Sequence, residues 1–345
     1  MKLLISGGVG FLGTNICIAA KEKGYDVIAL DNFVRKGSEK NAALLASKYN
    51  IEVIHSEVRI QDDWKKAGKV DAIIHLAGQP GIPMSIENPV LDFQVNAVGT
   101  LYGLEYARSQ GNIPFIYAST NKVYSDEIND IPLRETETRY KYADEDYSEG
   151  IPEDFPMDSA GSHPHSPYGV SKASGDLLTQ EYYHAFGVPT VVFRMSCIYG
   201  LYQHGVSEQG WTDWFVRQRI LGDNKLTFYG NGKQVRDVLF GSDAASAYLT
   251  VLDNIGQVKG QVFNLGGGTD FNASLIEWVK ILNNYTDEPP IEVTFEDWRL
   301  ADHRCYISNT HKFKKMTKWQ PQIAPLDGIE MMIKAYQGGL YAVGS

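Results

Sequence analysis

The chain reads as an α/β protein built on a doubly wound parallel sheet, with a smaller C-terminal α/β domain. Strand-length apolar runs alternate with longer amphipathic segments through the first 120 residues, the pattern of a parallel sheet with helical crossovers. Several of these runs are apolar on both faces, as strands covered by helices on either side must be. A glycine-rich turn joins the first run to the first amphipathic segment, and the second run ends in Asp31.

Lys2–Ser6 is the first strand. Leu12, Ile16, Ala19 and Ala20 recur at i, i+4, i+7 and i+8, a helix stripe, and Asp26–Leu30 is the second strand. Glu52–His55, Ala72–Leu76 and Phe115–Ala118 follow, each ended by a polar or glycine-containing turn. From Asp126 to Asp158 the periodicity stops. Twelve acidic residues stand there against three basic ones, with Pro132, Pro152 and Pro156, so the segment reads as a long irregular excursion, a surface loop or lid. Tyr168–Phe186 then predicts a helix and Thr190–Arg194 a strand. Beyond about Tyr199, glycines and aromatics scatter among short segments. This predicts a second, smaller domain at the carboxyl edge of the sheet, where open α/β sheets bind ligands.

The 345 residues hold 32 Lys and Arg against 42 Asp and Glu, a net charge of −10, which argues against a nucleic-acid partner. An anionic small molecule is compatible, because a few arginines can dominate one pocket. Cys17, Cys197 and Cys305 form no CxxC pair and fit reduced cytoplasmic thiols better than disulfides or a metal site; no metal is expected. The opening MKLLISGG is too short an apolar run for a signal peptide, and no stretch of about 18 uncharged apolar residues predicts a membrane span.

The turn Gly7-Gly8-Val9-Gly10-Phe11-Leu12-Gly13 lies between strand and helix, and Asp31 follows Gly13 by eighteen residues. That context is what a Rossmann-type dinucleotide site requires. Gly7 and Gly10 let the backbone approach a pyrophosphate at the helix N-terminus, whose free N–H groups favour anions. Asp31 suits the adenosine ribose hydroxyls and repels a 2′-phosphate, so NAD is expected over NADP, with Arg35 and Lys36 close enough to leave that choice open. The spacing is GxxGxxG, not GxGxxG.

Tyr168 and Lys172 stand at i and i+4, on one helix face. A cation about 4 Å from the phenol at an effective dielectric of about 20 contributes roughly 4 kcal/mol, a drop of up to about three pKa units before desolvation takes some back, and a positive nicotinamide ring would help further. Tyr168 could then take a proton from a sugar hydroxyl while the carbon's hydrogen leaves as hydride.

With these motifs the sequence resembles the extended short-chain dehydrogenase/reductases, specifically the NAD-dependent nucleotide-sugar epimerases. The resemblance rests on the GxxGxxG turn, His75-Leu76-Ala77-Gly78, Asn96 with Gly99-Thr100, Ser119-Thr120 before Val123-Tyr124, and Tyr168 with Lys172. It continues through Arg194 with Tyr199-Gly200, Gly230 to Asp237, and Arg299 with Asp302. It implies a catalytic set of Thr120, Tyr168 and Lys172. It implies a cofactor site of Gly7, Gly10, Phe11, Leu12, Asp31, Asn32, Arg35, Lys36, Glu57, Val58, Leu76, Ala77, Gly78, Gln79, Asn96 and Ser119, shared with Tyr168 and Lys172. Glu57-Val58 departs from the family's Asp at the adenine contact. For a nucleotide-diphosphate sugar it implies Gln79, Ser85, Thr120, Asn121, Lys122, Ser196, Gln209, Gly210, Trp211, Arg236, Arg299 and Asp302, with Arg236 and Arg299 clamping the diphosphate. Taken without the motif, either arginine reads equally as half of a surface ion pair. Residues 1–180, with a return segment at about 235–262, would form the NAD domain; about 181–234 and 263–345 would bind the nucleotide sugar. Apolar stripes on Val95–Arg108 and Tyr168–Phe186 imply a homodimer or homotetramer.

Asn121-Lys122 separates reactions within the family. Its sugar 4,6-dehydratases carry Asp-Glu there, and a lysine cannot replace the glutamate as base. The string Ser119 to Tyr124, with Gln209-Gly210-Trp211 and His165 to Tyr168, looks most like the family's 2-epimerases of CDP-linked deoxyhexoses. A UDP- or GDP-sugar 4-epimerase shares every catalytic residue and is the alternative; a non-catalytic NAD(H) sensor is the remote one.

Overall fold

A computed structural model describes residues 1–158, 160–161, 165–207, 209–285, 289–299 and 302–339. Seven strands form the central sheet: β1 Lys2–Ser6, β2 Asp26–Asp31, β3 Glu52–His55, β4 Ala72–His75, β5 Phe115–Thr120, β6 Thr190–Met195 and β7 Gln261–Leu265. Their order is β7-β6-β5-β4-β1-β2-β3, with every neighbour parallel. The order reverses between β1 and β4, which opens the crevice where ligands of such sheets lie.

Both sheet faces are covered, as the two-sided apolar runs require. Ile16, Cys17 and Ala20 of the helix Phe11–Glu22 share one core with Ala244, Tyr248 and Val251 of the helix Gly241–Asp253. Leu104 and Ala107 of the helix Gly99–Ser109 and Tyr182 of the helix Ser166–Phe186 close the other face over Leu4, Ile73 and Phe115. Each fully buried Ile, Leu, Val or Phe among them contributes about 1.5–3 kcal/mol.

The partition of the chain follows strand pairing and departs from the cut expected near residue 180. Thr190–Met195, apolar on both faces, lies inside the central sheet between β5 and β7. Val235–Phe240 pairs instead with Cys197–Tyr199, Asn272–Ser274 and Cys305–Tyr306 in a second sheet. The return to the first lobe therefore begins at Gly241, and β7 carries it past residue 262. Phe313 and Trp319 also pack into the first lobe's core. The smaller lobe has its own core, which includes Tyr199, Phe215, Phe240, Trp278, Met332 and Tyr336.

The acidic excursion 126–158 is not a solvated loop. It folds into short turns and an antiparallel pair, Leu133–Glu135 with Tyr140–Tyr142, and buries Ile128, Ile131, Ile151 and Phe155 against Tyr124 and Tyr306. Arg139 Nε donates to Glu277 at 2.7 Å, and the Ile151 N–H donates to the Ile307 carbonyl at 2.7 Å. Its apolar residues are too irregularly spaced to show periodicity, so the acidic majority hid them.

Candidate active site

Gly7 takes a positive φ of 71°, and a Cβ there would stand 2.7 Å from the Ala77 nitrogen. The turn after β1 therefore lies directly under the loop after β4. A Cβ on Gly13 would fall 2.1 Å from the Gly7 carbonyl, so only glycine lets the helix sit this close to the turn. Gly10 caps the helix with no side-chain hydrogen bond, leaving the first N–H groups of Phe11 and Leu12 at the head of the crevice. Asp31 is buried at the tip of β2, its carboxylate accepting from the N–H groups of Val9 (3.3 Å) and Phe33 (2.9 Å). Burial raises its pKa, and those N–H bonds work against the rise. A bare helix N-terminus and a carboxylate with lone pairs to spare fit NAD.

Around this turn the expected cofactor residues divide. Asn32 Nδ2 donates to Glu57 at 3.2 Å, and Arg59 holds the same carboxylate at 2.7 Å. Burial opposes this, yet the Arg59 and Asn32 bonds keep Glu57 below the usual range. Val58 is a core residue packed beside Trp64 and Leu104. Arg35 reaches across to Gln209, tying the segment before the helix Trp211–Ile220 to the cofactor side of the crevice, while Lys36 is exposed. Gly78 lies between the Asn96 amide and the Lys172 ammonium, where a Cβ would meet them at 3.0 and 3.9 Å.

Asn96 sits in a π-helical turn, Gln94–Val98, a distortion frequent at functional sites. Its Oδ1 accepts from the Gln79 N–H at 2.9 Å, and its Nδ2 donates to the Gln79 carbonyl, to Asp92 and to Ser171. Asp92 in turn accepts from Gln79 Nε2 and Ser171 Oγ. His75 is clamped below, between Ser6 Oγ at 2.6 Å and Thr100 Oγ1 at 3.1 Å. Because Thr100 donates to the Asn96 carbonyl, the imidazole proton lies on Nε2. Burial, then the nearby Lys172, push His75 down to about 3.

Thr120 ends β5, and Tyr168 and Lys172 lie on the helix packed against it, so all three catalytic candidates meet in one buried cluster. Tyr168 shares a hydrogen bond with Thr120. The expected electrostatics are overturned. Burial pushes Tyr168 up to about 12, an effect that the Thr120 bond only moderates. Burial also pulls Lys172 down to about 7, against the carboxylates of Asp176 and Asp92. The Lys172 ammonium turns to the Ala118 carbonyl and lies 4.3 Å from the centre of the Tyr117 ring, so desolvation outweighs its pull on the phenol. Ser119 Oγ donates to Asp176, which forms a buried ion pair with Arg194 at 3.0 Å; this expected cofactor contact is a structural one.

The expected substrate residues also divide. Asn121 and Lys122 follow Thr120, whose Oγ1 donates to Asn121 Oδ1 and accepts from the Lys122 N–H, both at 3.3 Å. Burial brings Lys122 down to about 8, with Asp302 and Asp126 opposing and Arg236 adding to the fall. Arg236 pairs with Asp302. Arg299 does not join them: its guanidinium lies 3.8 Å from the Tyr229 ring centre. Ser85 is fully buried with its hydroxyl on the Ile82 carbonyl, and Ser196 is bound to Asp237. Trp211 packs against Phe215 and Trp278, core contacts that leave Gly210 as the cap of its helix. Sequence reasoning missed Asp92 and Ser171 as members of the cluster; the i, i+4 spacing of Asp92 and Asn96 was the available signal.

A phenol, a hydroxyl and an amine buried together beside a dinucleotide crevice are the groups of an enzyme that moves a proton while a dinucleotide takes a hydride. Residues 3–266 match the model of the NAD dependent epimerase/dehydratase family, and the chain belongs to that family. It is 40% identical, over 96% of its own length and 98% of the other's, to the CDP-paratose 2-epimerase of Salmonella typhi. It is 27% identical to a putative UDP-glucose 4-epimerase of Methanocaldococcus jannaschii, covering 96% of this chain and 97% of that one. Among solved structures it resembles the dTDP-glucose 4,6-dehydratase of Bacillus anthracis in complex with NAD, with 26% identity, a TM-score of 0.77, and coverage of 98% and 97%. The chain is thus an NAD-dependent nucleotide-sugar epimerase. No helix among the described residues is long and apolar enough to cross a membrane.

Proposed function

We propose that this enzyme inverts C2 of a CDP-linked deoxyhexose such as CDP-paratose. The observation that carries the reading is the segment after Thr120. Where elimination of water needs a carboxylate base, the structure has the Asn121 amide and the half-buried Lys122 cation. The 40% identity to a CDP-paratose 2-epimerase supports the same choice.

Bound NAD supplies a hydride acceptor that becomes the donor within one turnover. Gly7, Gly10 and the N–H groups of Phe11 and Leu12 would hold its pyrophosphate, Asp31 its adenosine ribose, and Lys172 with Asn96 the nicotinamide end. Tyr168 is the base that takes the proton of the reacting hydroxyl and returns it. Thr120 bonds the same oxygen and shares its developing charge. Arg236 would bind the diphosphate, exchanging its Asp302 partner for phosphate oxygens. Lys122, within the field of Arg236 and Asp302 and two residues from Thr120, links the diphosphate end to the reacting oxygen, as suits the carbon beside the phosphate-bearing one.

Incubating the enzyme with CDP-paratose, and in parallel with UDP-glucose, and assigning the inverted carbon by NMR tests this. Inversion at C2 is expected; inversion at C4 alone would overturn it in favour of a 4-epimerase, and turnover of neither would overturn this choice of substrate. A homo-oligomer belongs to the same proposal. Met84, Ile86, Val90 and Phe93 stand exposed on segments packed against the helix Ser166–Phe186, which exposes Val170, Leu177 and Phe186. A monomer in light scattering would count against it. The three free cysteines support a cytoplasmic location.

A further inference from the structure

Asp92 is a buried carboxylate, 1% exposed, on the short helix Pro89–Phe93. Three donors reach it: Gln79 Nε2 at 2.9 Å and Asn96 Nδ2 at 3.1 Å on one oxygen, Ser171 Oγ on the other. All three are neutral; burial raises the pKa of Asp92, and the Ser171 and Gln79 bonds and the field of Lys172 work against that rise. A buried charge held only by neutral donors is costly unless its field acts on something. Ser171 stands between Tyr168 and Lys172 in the helix and also bonds the Tyr168 carbonyl at 3.0 Å. Asp92 therefore grips the backbone that carries both catalytic side chains.

We infer that Asp92 is a positioning residue of the reaction, the counter-charge that keeps Lys172 protonated while Ser171 and Asn96 fix the catalytic helix turn in place. Two carboxylates face Lys172. Asp176, on the same helix, has the larger field but shares its charge with Arg194 in a buried ion pair, which leaves Asp92 as the one of the two without an ionic partner; His75 on β4 is a neutral imidazole, and Tyr117 on β5 and Tyr168 are neutral phenols. Burial lowers Lys172, and Asp176 and then Asp92 oppose that fall. The field of Asp92 opposes ionisation of Tyr168. Removing the charge therefore moves both groups toward lower pH.

The test is Asp92→Asn, which keeps the side chain's shape and removes its charge. The side-chain nitrogen resonance of Lys172, identified by its loss in Lys172→Met, is followed against pH in the NAD-loaded protein. The titration midpoint is expected to fall by about one pH unit, the reach of one charge across several ångströms at an effective dielectric near 20. With a nucleotide sugar that the native enzyme turns over, kcat falls, KM holds, and the kcat profile shifts to lower pH. Asp92→Glu, which keeps the charge, restores the native midpoint. An unmoved midpoint in Asp92→Asn, or a Glu variant displaced as far as the Asn one, would overturn the inference. Should Asp92→Asn not fold, Asp92→Ser reads the same shift with room for water beside Ser171. The resonance is read without substrate, so a wrong choice of sugar or carbon leaves the midpoint and its meaning unchanged.

Discussion

Alanine at Gly10 and alanine at Gly13 damage different things, although the two glycines are three residues apart. At Gly13 the added methyl would stand 2.1 Å from the Gly7 carbonyl and 2.7 Å from the Gly8 Cα, both backbone atoms that no rotamer change can move aside. The helix cannot lift away, because Ile16, Cys17 and Ala20 are fully buried beneath it. Overpacking of this kind costs about 3 kcal/mol at the upper end of its range. Replacing a helical glycine returns somewhat under 1 kcal/mol, so about 2 kcal/mol of stability is lost. With an unfolding entropy of about 2.1 cal/mol/K per residue, that is about 3 °C in Tm. At Gly10 the methyl meets only the Gly7 carbonyl, at 3.2 Å, and the backbone (φ −68°, ψ 174°) is one alanine adopts freely. Tm should stay within about 1 °C. The methyl would instead occupy the approach of the pyrophosphate; losing one charge-assisted bond there, about 1.5–3 kcal/mol, weakens NAD about 10- to 100-fold. Calorimetric melts and NAD titrations of both variants decide the matter. Native NAD affinity in Gly10→Ala, or a native melt in Gly13→Ala, would refute this account of the turn.

Tyr168→Phe should lower kcat about 10²- to 10⁴-fold while leaving bound NAD in place, measured by turnover and by cofactor content after gel filtration. Asp176→Asn leaves Arg194, 3% exposed, without its counter-charge; a loss of about 3–5 kcal/mol, or about 4–7 °C in Tm, is expected, and a melt within 1 °C of native would show that the pair is not structural. His75 binds its proton at about 3 in the folded chain and at about 6.5 in the unfolded one. Between those values the unfolded state holds more protons, so stability falls as pH drops from 6.5 toward 3. His75→Asn should flatten that part of a Tm-against-pH series, and an unchanged slope would mean that the imidazole titrates normally.

What could be read from sequence was what depends on neighbours in the chain. The strand limits of Lys2–Ser6 and Glu52–His55, the glycine turn and the Tyr168–Lys172 spacing are all local patterns. The placement of Thr190–Met195 and Val235–Phe240 was not, because which sheet a strand joins is decided by partners 35 to 75 residues away along the chain. The excursion 126–158 conceals its core for a related reason. Its apolar side chains meet Tyr306 and Ile307, far downstream, and composition alone records only the charges.

The catalytic pair shows where a local argument reverses. Two side chains one helical turn apart invite a Coulomb estimate, and that estimate favours an ionised phenol and a fixed ammonium. Both assume that the pair stays hydrated. The structure instead sets the Lys172 ammonium over the Tyr117 ring and near Gly78 and buries the Tyr168 ring beside Thr120, and desolvation then outweighs the attraction, driving each group toward neutrality. Charge in such a pocket persists only where a third group holds it. Asp92 comes from a different segment and reaches the pair through Ser171. As the proposed base, Tyr168 would ionise near neutral pH only with positive charge facing the phenol, which bound oxidised nicotinamide would supply together with Lys172. That ionisation would then depend on the oxidised cofactor, and enzyme without NAD should hold its phenol protonated through the physiological range.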